Sequence, residues 1–421
     1  MDHILSKASS ITPYLDRAIA LRLVDFLIER NCQPLKDLYL SRLQLVVDAM
    51  NLEQIRLTLL QLHFLEVSSP ITLNDKTVEF SVATGTPSFS LNSKSEEELA
   101  SDLEAQKDNL LMELSLNAED LDGELSADKV TAIESHPREA LNLSRFYYNQ
   151  QFFDISKKLL SPLLSTTSVH SDALWGLLAI AIIEGHHDQA TELAQQVREC
   201  IEEEAKKRSA GHNITLRATL LHWLLPVFVD SPDLLADFLF KSSKDIKYVT
   251  AVSNIAPHLL DYCFMVFCTK GSSEIHSRSF ELLKLLNNCS MGPECGIVFE
   301  SPVVQFLSAL SECDLEKSGQ YLAGLKQIFE GDYFVSKKAG EIFRCCVELV
   351  IDLYSRVVKT VSVEEISEIS GLDHSESEVL ITKMLLDQDC EVKEGNFHIN
   401  VSSDPNLASS IFNFVGLENI A

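Results

Sequence analysis

One stretch decides the predicted fold: VSVEEISEIS (Val361–Ser370), SESEVLITKMLLDQ (Ser375–Gln388), and the short alternating runs Cys390–Lys393 and Asn396–Val401. The first two segments space their apolar residues as amphipathic helices do, whereas the alternating runs predict strands. Between the runs lies Glu394-Gly395, where glycine adopts the positive φ of a tight turn at little cost. The stretch therefore predicts helix, helix, strand, strand.

That order is typical of a winged helix, but the charge is opposite to that of a nucleic-acid-binding one. From Thr360 to Ala421 the chain has twelve Asp and Glu residues, and its only basic residues apart from histidine are Lys383 and Lys393. Because neutralised phosphates supply most non-specific affinity for nucleic acids, this surface has the wrong sign for DNA. We therefore expect the module to hold another protein.

The composition is typical of a large soluble protein that avoids polyanions. The chain has 421 residues, 46% of them apolar, and a formal net charge of −27, which allows two or three domains with a sizeable core. The charge argues against a general affinity for nucleic acid or anionic lipid and leaves at most a local RNA contact. The ten cysteines form no CxxC motif, which favours a reduced protein. The amino-terminal segment is unlike a secretory signal, and no apolar run is long enough to cross a bilayer, so we expect a cytoplasmic protein without a membrane anchor.

The sequence pattern divides the chain into five segments. They are an N-terminal helical region over 1–66, an acidic linker with one long helix over 67–136, helical repeats over 137–358, the winged helix over 359–403, and a short C-terminal helix or tail over 404–421. Within the linker, Val67–Phe89 is rich in Ser, Thr and Pro and predicts an extended loop.

The acidic part of the linker, Asn92–Asp128, contains twelve carboxylates and two lysines. A stripe of leucines predicts one long, exposed helix in its first half. Repulsion between like charges and little apolar surface predict that Asn117–Asp128 is mobile. The segment would serve either as a spacer or as a negative arm for a basic partner.

Two segments match at an offset of 34 residues, Asn149–Leu159 and Ile183–Leu193, and a weaker echo occurs at Cys313–Leu322. The aligned positions are acidic, small and apolar in turn: Asp154 with Asp188, Ser156 with Ala190, and Leu159 with Leu193. A period of 34 is that of tetratricopeptide-like (TPR-like) hairpins, in which a small residue lets two helices approach. The predicted fold class is therefore mainly α, a right-handed solenoid of helical repeats followed by a C-terminal winged helix.

Helical repeats that run into a winged helix are the layout of PCI domains, and short motifs resemble the e-subunit family of translation initiation factor 3 in order and spacing. The motifs are Tyr14-Leu15-Asp16-Arg17, Leu23–Leu27, Ala173-Leu174-Trp175-Gly176, His222-Trp223, Pro257-His258-Leu259-Leu260 and Asp332-Tyr333-Phe334. The resemblance covers most of residues 10–400. It departs from the family in the high acidity of 92–128 and in the single short helix within Pro405–Ala421.

The resemblance implies a non-catalytic scaffold subunit of that factor, without cofactor or metal. Its partners would be other PCI and MPN subunits of the factor and the small (40S) ribosomal subunit. A PCI subunit of the proteasome lid or of the COP9 signalosome shares the layout and remains the alternative. An enzyme or a nucleic-acid-binding regulator is the alternative from a different class.

The strand pair supplies the candidate partner-binding residues, Val392, Phe397 and Ile399, which are the apolar members of the alternation. One face of the pair is expected to pack on the helices, while the open edge offers N–H and C=O groups to a partner strand. The alternative is an edge that is merely blunted by its charged residues, Glu391, Lys393 and Glu394.

A second candidate is the lysine row Lys241, Lys244 and Lys247, with Lys206-Lys207-Arg208 nearby in sequence. In so acidic a chain these cations are where RNA or an acidic partner would make contact. A solvated helix face is the alternative.

No pattern in the sequence predicts a catalytic, cofactor or metal site. The neighbours His186-His187 would point about 100° apart on a helix, which does not suit a shared metal. His222, His258 and Cys345-Cys346 lie in apolar helical segments and predict core packing. Because nucleotide-binding, nucleophile-elbow and zinc-protease motifs are missing, we expect no enzymatic activity.

Overall fold

The computed structural model describes residues 11–32, 34–83, 85–205, 210–240, 258–275, 278, 301–358, 360–385, 390–393 and 396–399. These residues are mainly helical, in agreement with the predicted class. They divide into two compact units, of which the first runs from Ile11 to Leu224 and the second begins at Leu225.

The first unit starts with three helices that pack in chain order: α1 Arg17–Glu29, α2 Leu35–Asp48 and α3 Leu52–Phe64. Asp16 accepts a hydrogen bond from the Ala18 N–H and Asn51 accepts one from the Gln54 N–H, so α1 and α3 both begin at a side-chain cap. The apolar stripe of α1, which includes Leu23, is buried.

Residues 71–95 form a four-stranded antiparallel meander, so the prediction of an extended loop in Val67–Phe89 is wrong. Its strands, hydrogen-bonded in chain order, are β1 Ile71–Leu73, β2 Lys76–Ala83, β3 Thr86–Leu91 and β4 Lys94–Ser95. Val78 and Phe89 are buried in one core with Leu59 of α3. Serine and threonine occupy many of the outward positions, and their number hid the two-residue periodicity of the buried face.

The acidic segment contains the predicted long helix, α4 Glu96–Glu113. Ser95 and Glu98 form a capping box at its start, where glutamates also complement the positive end of the helix dipole. The next stretch, Asn117–Asp128, is predicted to be mobile, but it forms α5 Ala118–Asp122 and buries Leu121. An apolar anchor therefore orders a stretch whose composition alone predicts no order.

The rest of the first unit consists of α6 Ala127–Ser135, α7 Pro137–Asn149, α8 Phe153–Leu163, α9 His170–Glu184, α10 His187–Ala205 and α11 Ala210–Trp223. Successive helices from α7 to α11 pack against one another. Helices α8 and α10 begin 34 residues apart, at Phe153 and His187, as the repeat predicts. The predicted small positions Ser156 and Ala190 are fully buried, and so is Ser318 in the weaker echo.

Small residues set how closely these helices approach. The hydroxyls of Ser144 and Ser156 are 2.9 Å apart between α7 and α8. Gly176 of α9 lies against Leu160 of α8, and a β-carbon at Gly176 would come within 2.8 Å of a Leu160 methyl carbon. Glycine at this position therefore permits a close contact between two helices.

Motifs that are far apart in the sequence meet just before α1. The Tyr14 ring stacks on His222 with centroids 4.4 Å apart, and the Trp223 indole N–H donates to the Tyr14 carbonyl over 2.9 Å. Trp175 packs edge-on against Trp223, with centroids 4.7 Å apart. We name these four residues the aromatic junction, which ties the start of the described chain to α9 and α11.

Hydrogen bonds extend from the aromatic junction into the Tyr14–Arg17 motif. Asp16 accepts a hydrogen bond from the Tyr148 hydroxyl, and burial raises the pKa of Tyr148 well above its usual value, so the phenol remains a donor. Arg17 donates to the Asp48 carbonyl over 2.9 Å. The motif therefore has a structural role, which is to attach α1 to α2 and α7.

The second unit contains α12 Leu225–Asp230, α13 Pro232–Phe240, α14 Leu259–Cys268, α15 Pro302–Ser311, α16 Leu315–Gly331 and α17 Ala339–Val357 ahead of its carboxyl-terminal module. Helix α14 is buried along its whole length. Its Tyr262 hydroxyl donates to Asp332 Oδ2 over 2.7 Å, and Asp332 Oδ1 accepts from the Phe334 N–H over 2.9 Å. The Asp332–Phe334 motif therefore ends α16 and anchors it to α14.

The buried imidazole of the aromatic junction predicts acid sensitivity. Burial lowers the pKa of His222 from 6.5 to about 4. Below pH 6.5 the unfolded chain takes up a proton that the folded chain refuses, so stability falls as the pH falls from 6.5 to 4, by about 3 kcal/mol in total. His222→Phe keeps a stacking ring without this proton, and we expect its melting temperature to fall less between pH 7 and pH 4 in calorimetry. Parallel pH profiles for the two proteins would show that this imidazole is not responsible.

Candidate partner-binding surface

The carboxyl-terminal module has the predicted order of helix, helix, strand, strand, with an additional strand in front. Its elements are β5 Thr360–Ser362, α18 Val363–Ser370, α19 His374–Leu385, β6 Cys390–Lys393 and β7 Asn396–Ile399. Strand β7 lies in the middle of an antiparallel sheet ordered β5-β7-β6. Strand β5 was not predicted, because three residues that run directly into a helix are too few to show an alternation.

Side-chain caps and one glycine set the ends of the two helices. Ser362 Oγ accepts from the Glu365 N–H at the start of α18. Asp373 Oδ1 accepts from the Glu376 N–H over 2.7 Å at the start of α19. Gly371 follows α18 with a φ of 67°, a left-handed conformation that favours glycine. The turn between the helices is therefore encoded by its own residues.

The two helices are fixed to α16 and α17. Gly319 of α16 lies against Ile369 of α18, and a β-carbon at Gly319 would be 3.1 Å from Ile369 Cγ2. Lys383 of α19 donates to the buried Glu348 carboxylate of α17 over 2.7 Å, and Ser272 donates to its other oxygen over 3.1 Å. A buried carboxylate that accepts at both oxygens, once from a cation, holds α19 in place.

Further hydrogen bonds join α17 to α18 and β5 to β7. The Tyr354 hydroxyl donates to Glu365 Oε1 over 3.3 Å. Burial and then the neighbouring carboxylate raise the pKa of Tyr354 to about 12, so the phenol stays protonated at neutral pH. Thr360 Oγ1 lies 3.1 Å from His398 Nδ1 across the sheet. The first bond fixes α18 to α17, and the second links two strands within the sheet.

The register of the sheet separates the predicted contact residues. Phe397 lies opposite Val361 on one side and opposite Val392 on the other. Phe397 is 3% exposed and Val361 is fully buried, whereas Val392 is 58% exposed. Phe397 is therefore a core residue, and Val392 is the one accessible to a partner. Ile399 pairs through its backbone with Cys390, but its side chain lies outside the described residues.

Strand β6 is an edge strand, since within the described residues it pairs with β7 alone. Lys393 pairs with Asn396, and this pair closes the two-residue connection between the strands. Val392 is the next residue of β6, one position further from the connection. The closing pair of such a hairpin is hydrogen-bonded, and hydrogen-bonded pairs alternate with non-hydrogen-bonded ones. The N–H and C=O of Val392 therefore point outward, away from β7.

Val379 on α19 is a second exposed apolar side chain in this module, 64% exposed, and it was not predicted from the sequence. It lies on the polar face of its helix, three residues after Glu376 and four before Lys383, both of which are exposed. An apolar residue at a solvent position of an amphipathic helix is the signal that identifies it.

The other predicted contact site, Lys241, Lys244 and Lys247, lies outside the described residues, and so does Lys206-Lys207-Arg208. Contact of these lysines with RNA or an acidic partner remains a prediction.

The other chemically capable side chains have structural surroundings. His186 Nδ1 lies 3.1 Å from a carboxylate oxygen of Glu184, and the described part of the chain contains no cluster of His, Cys, Asp and Glu that could hold a metal. Burial raises the pKa of the Cys268 and Cys346 thiols, which contact each other, and so favours their protonated form. None of the described helices is long and apolar enough to span a membrane.

The chain is similar to proteins that are named as the E component of eukaryotic translation initiation factor 3, although no protein-family model matches it. The protein from Aspergillus oryzae is 25% identical over 328 residues, which are 73% of this chain and 72% of the relative. That from Monosiga brevicollis is 26% identical over 267 residues, or 61% and 53%. That from Emericella nidulans is 24% identical over 240 residues, or 55% and 52%. The match therefore spans about half the length of the last two relatives.

Because Phe397 is buried and Val392 is exposed, truncation of the two side chains should change the free energy of unfolding unequally. Phe397→Ala removes a buried ring, and we expect it to lower the free energy of unfolding by about 3–5 kcal/mol. Val392→Ala shortens an exposed side chain and should change that free energy by less than about 0.5 kcal/mol. Denaturant titration followed by circular dichroism measures both values, and equal losses would contradict the assignment of Phe397 to the core.

Proposed function

We propose that this chain, whose sequence is similar to the E components of eukaryotic translation initiation factor 3, is itself a subunit of that factor. The observation that carries the proposal is the shared name of the relatives, matched over as much as 73% of the chain. In this role the chain is a scaffold that holds sister subunits together on the small ribosomal subunit during the initiation of protein synthesis.

The architecture proposed for this role is a PCI domain, with a right-handed solenoid of helical repeats over 137–358 and a winged helix over 359–403. The packing of successive helices from α7 to α11 supports the repeats. The three-stranded sheet with α18 and α19 supports the winged helix. In this scheme 404–421 contributes a short helix or tail, which lies outside the described residues.

The scaffold would hold its partners through the edge of β6. There Val392 combines an outward-pointing peptide group with an exposed apolar side chain. A strand of a sister PCI subunit that adds to β6 would satisfy the peptide group and bury the side chain in one step. The exposed Val379 of α19 offers further apolar contact area to the same class of partner.

The charge of the chain supports binding to proteins over binding to nucleic acid. A net charge of −27 repels a phosphate backbone. The proposed contact with the 40S particle would therefore be made through partner proteins, MPN subunits included, or through a local cationic group such as Lys241, Lys244 and Lys247.

The proposed role requires no catalysis. The side chains that could do chemistry have structural positions instead, as His222 does in the aromatic junction and Glu348 does beneath α19. The scaffold would work in the cytoplasm without a cofactor or a membrane anchor. The alternative, a PCI subunit of the proteasome lid or the COP9 signalosome, would use the same surfaces for different partners.

Affinity purification distinguishes these assignments. The full chain carries a tag, is expressed in cells and is purified under gentle salt, and its partners are identified by mass spectrometry and by sedimentation. We expect co-elution with the other subunits of translation initiation factor 3 and with 40S particles. Co-elution with the 26S proteasome or the signalosome would support the alternative, and the lack of any of these partners would refute both.

Proline at the sheet edge tests how the partner is held. Val392→Pro removes an outward N–H without breaking a bond to β7, so the chain should stay folded while a partner strand loses a hydrogen bond and meets the proline ring. We expect about tenfold weaker co-purification of sister subunits, equivalent to about 1.4 kcal/mol. Val392→Thr, which keeps the N–H and the branched shape, is the matched control. Unchanged partner recovery for Val392→Pro, with normal helicity by circular dichroism, would exclude edge pairing.

A further inference from the structure

A groove lies between α4, α7 and the turn that joins α2 to α3, all within the first unit. Its volume is about 800 Å³, which is in the range of pockets that bind ligands, and the proposed function does not use it. One wall is a stripe along α4 that recurs every three to four residues, namely Asp102, Gln106, Asn109 and Glu113. The facing wall is a stripe of α7 that runs from Asn142 to Asn149.

The walls of the groove present carboxamides. The side chains of Gln106, Asn109 and Asn142 are exposed, and none of them hydrogen-bonds to another described residue. A carboxamide both donates and accepts, which matches the alternating N–H and C=O groups of a peptide backbone. Between the two stripes, Leu103 and Phe146 supply half-buried apolar surface.

The groove carries more negative than positive charge. Its lining includes the carboxylates of Asp48, Asp102 and Glu113, against the single guanidinium of Arg145. Arg145 is itself paired with Asp172. Asp48 and Asp102 are paired in turn with Lys76 and Lys94, so the excess negative charge of the lining comes from Glu113, for which the described residues supply no ion pair. A cationic side chain is therefore favoured near Glu113 and a phosphate is disfavoured.

The length of the α4 wall fits a short extended segment. From Asp102 to Glu113 a helix rises about 16 Å, at 1.5 Å per residue. Because an extended chain covers about 3.3 Å per residue, the wall accommodates about five residues of a strand-like peptide.

We propose that this groove binds an extended, basic peptide segment of a partner protein. The carboxamides of Gln106, Asn109 and Asn142 hydrogen-bond its backbone, and its cationic side chains lie beside Asp102 and Glu113. The site belongs to the first unit alone and does not depend on the β6 edge, so the two proposals can fail separately.

Defined peptides test the chemistry of the occupant. The full chain is titrated into fluorescein-labelled peptides of roughly six residues with alternating lysine and alanine, and fluorescence polarisation reports binding. A peptide with glutamate in place of lysine tests the charge, and a peptide with a methylated backbone tests the peptide hydrogen bonds. We expect saturable binding of the basic peptide, about tenfold weaker binding of the methylated one, and no binding of the acidic one.

Matched variants locate the binding to the groove. Asn142→Lys places a cation between the walls and should weaken binding of the basic peptide about tenfold, whereas Gln196→Lys adds the same charge at an exposed position of α10 and should not. Asn109→Ala should weaken binding without a change of charge. Glu113→Gln should also weaken it, with Glu192→Gln on α10 as its control.

The proposal is overturned if Asn142→Lys binds the basic peptide as wild type does, or if the acidic peptide binds as well as the basic one. It is also overturned if no saturable binding occurs up to about 1 mM. A single-stranded oligonucleotide that displaces the basic peptide from the wild-type protein and fails to bind Asn109→Ala would assign the groove to RNA instead.

Discussion

Two helices approach each other only as closely as the side chains between them allow, and both units depend on positions where that side chain is small. Gly176 admits a methyl group of Leu160 between α8 and α9, and Gly319 admits Ile369 between α16 and α18. Because protein interiors are close-packed, a larger residue at either position would force the Leu160 or Ile369 side chain to move. Helix α18 is continuous with β5, which pairs with β7, so the contact at Gly319 contributes to the position of the sheet and its edge.

A row of helices that pack only on their neighbours has loose ends unless distant parts of the chain meet. In the first unit the aromatic junction provides that meeting, since Trp223 donates to a carbonyl 209 positions earlier in the chain. Three of the motifs on which the resemblance rests, those at Tyr14, Trp175 and His222-Trp223, therefore close the unit. Polar atoms in the motifs have intramolecular partners, as Asp16 has in Tyr148 and Asp332 has in Tyr262. This explains how such motifs carry the resemblance without marking a reactive site.

Sequence patterns predicted the features that repeat over many residues and missed those set by a few. The helices, the 34-residue offset and the order of the carboxyl-terminal module were predictable, because each rests on a long periodicity. The meander at 71–95 was missed, although Asn74 and Asn92, which both adopt positive φ, mark tight turns at its strand ends. The alternation of apolar residues grouped Val392 with Phe397 in one row. It could not show that the helices cover only part of this row, because the burial of each residue depends on the register of three strands.

The groove was also beyond the reach of sequence patterns. Its two walls belong to helices about forty residues apart, and each wall alone has the pattern of an ordinary polar helix face. Only the packing of α4 against α7 turns the two stripes towards a common space.

Strand β6 is only four residues long, which limits how strongly it can bind. Two of those residues, Cys390 and Val392, direct their peptide groups outward, so an added strand gains about four hydrogen bonds, worth on the order of 4 kcal/mol or millimolar affinity. An attachment of this strength forms when other contacts have already raised the effective concentration of the two subunits. The edge is therefore suited to fastening neighbours within a larger assembly, and its brevity protects the isolated chain from aggregation through stray strands.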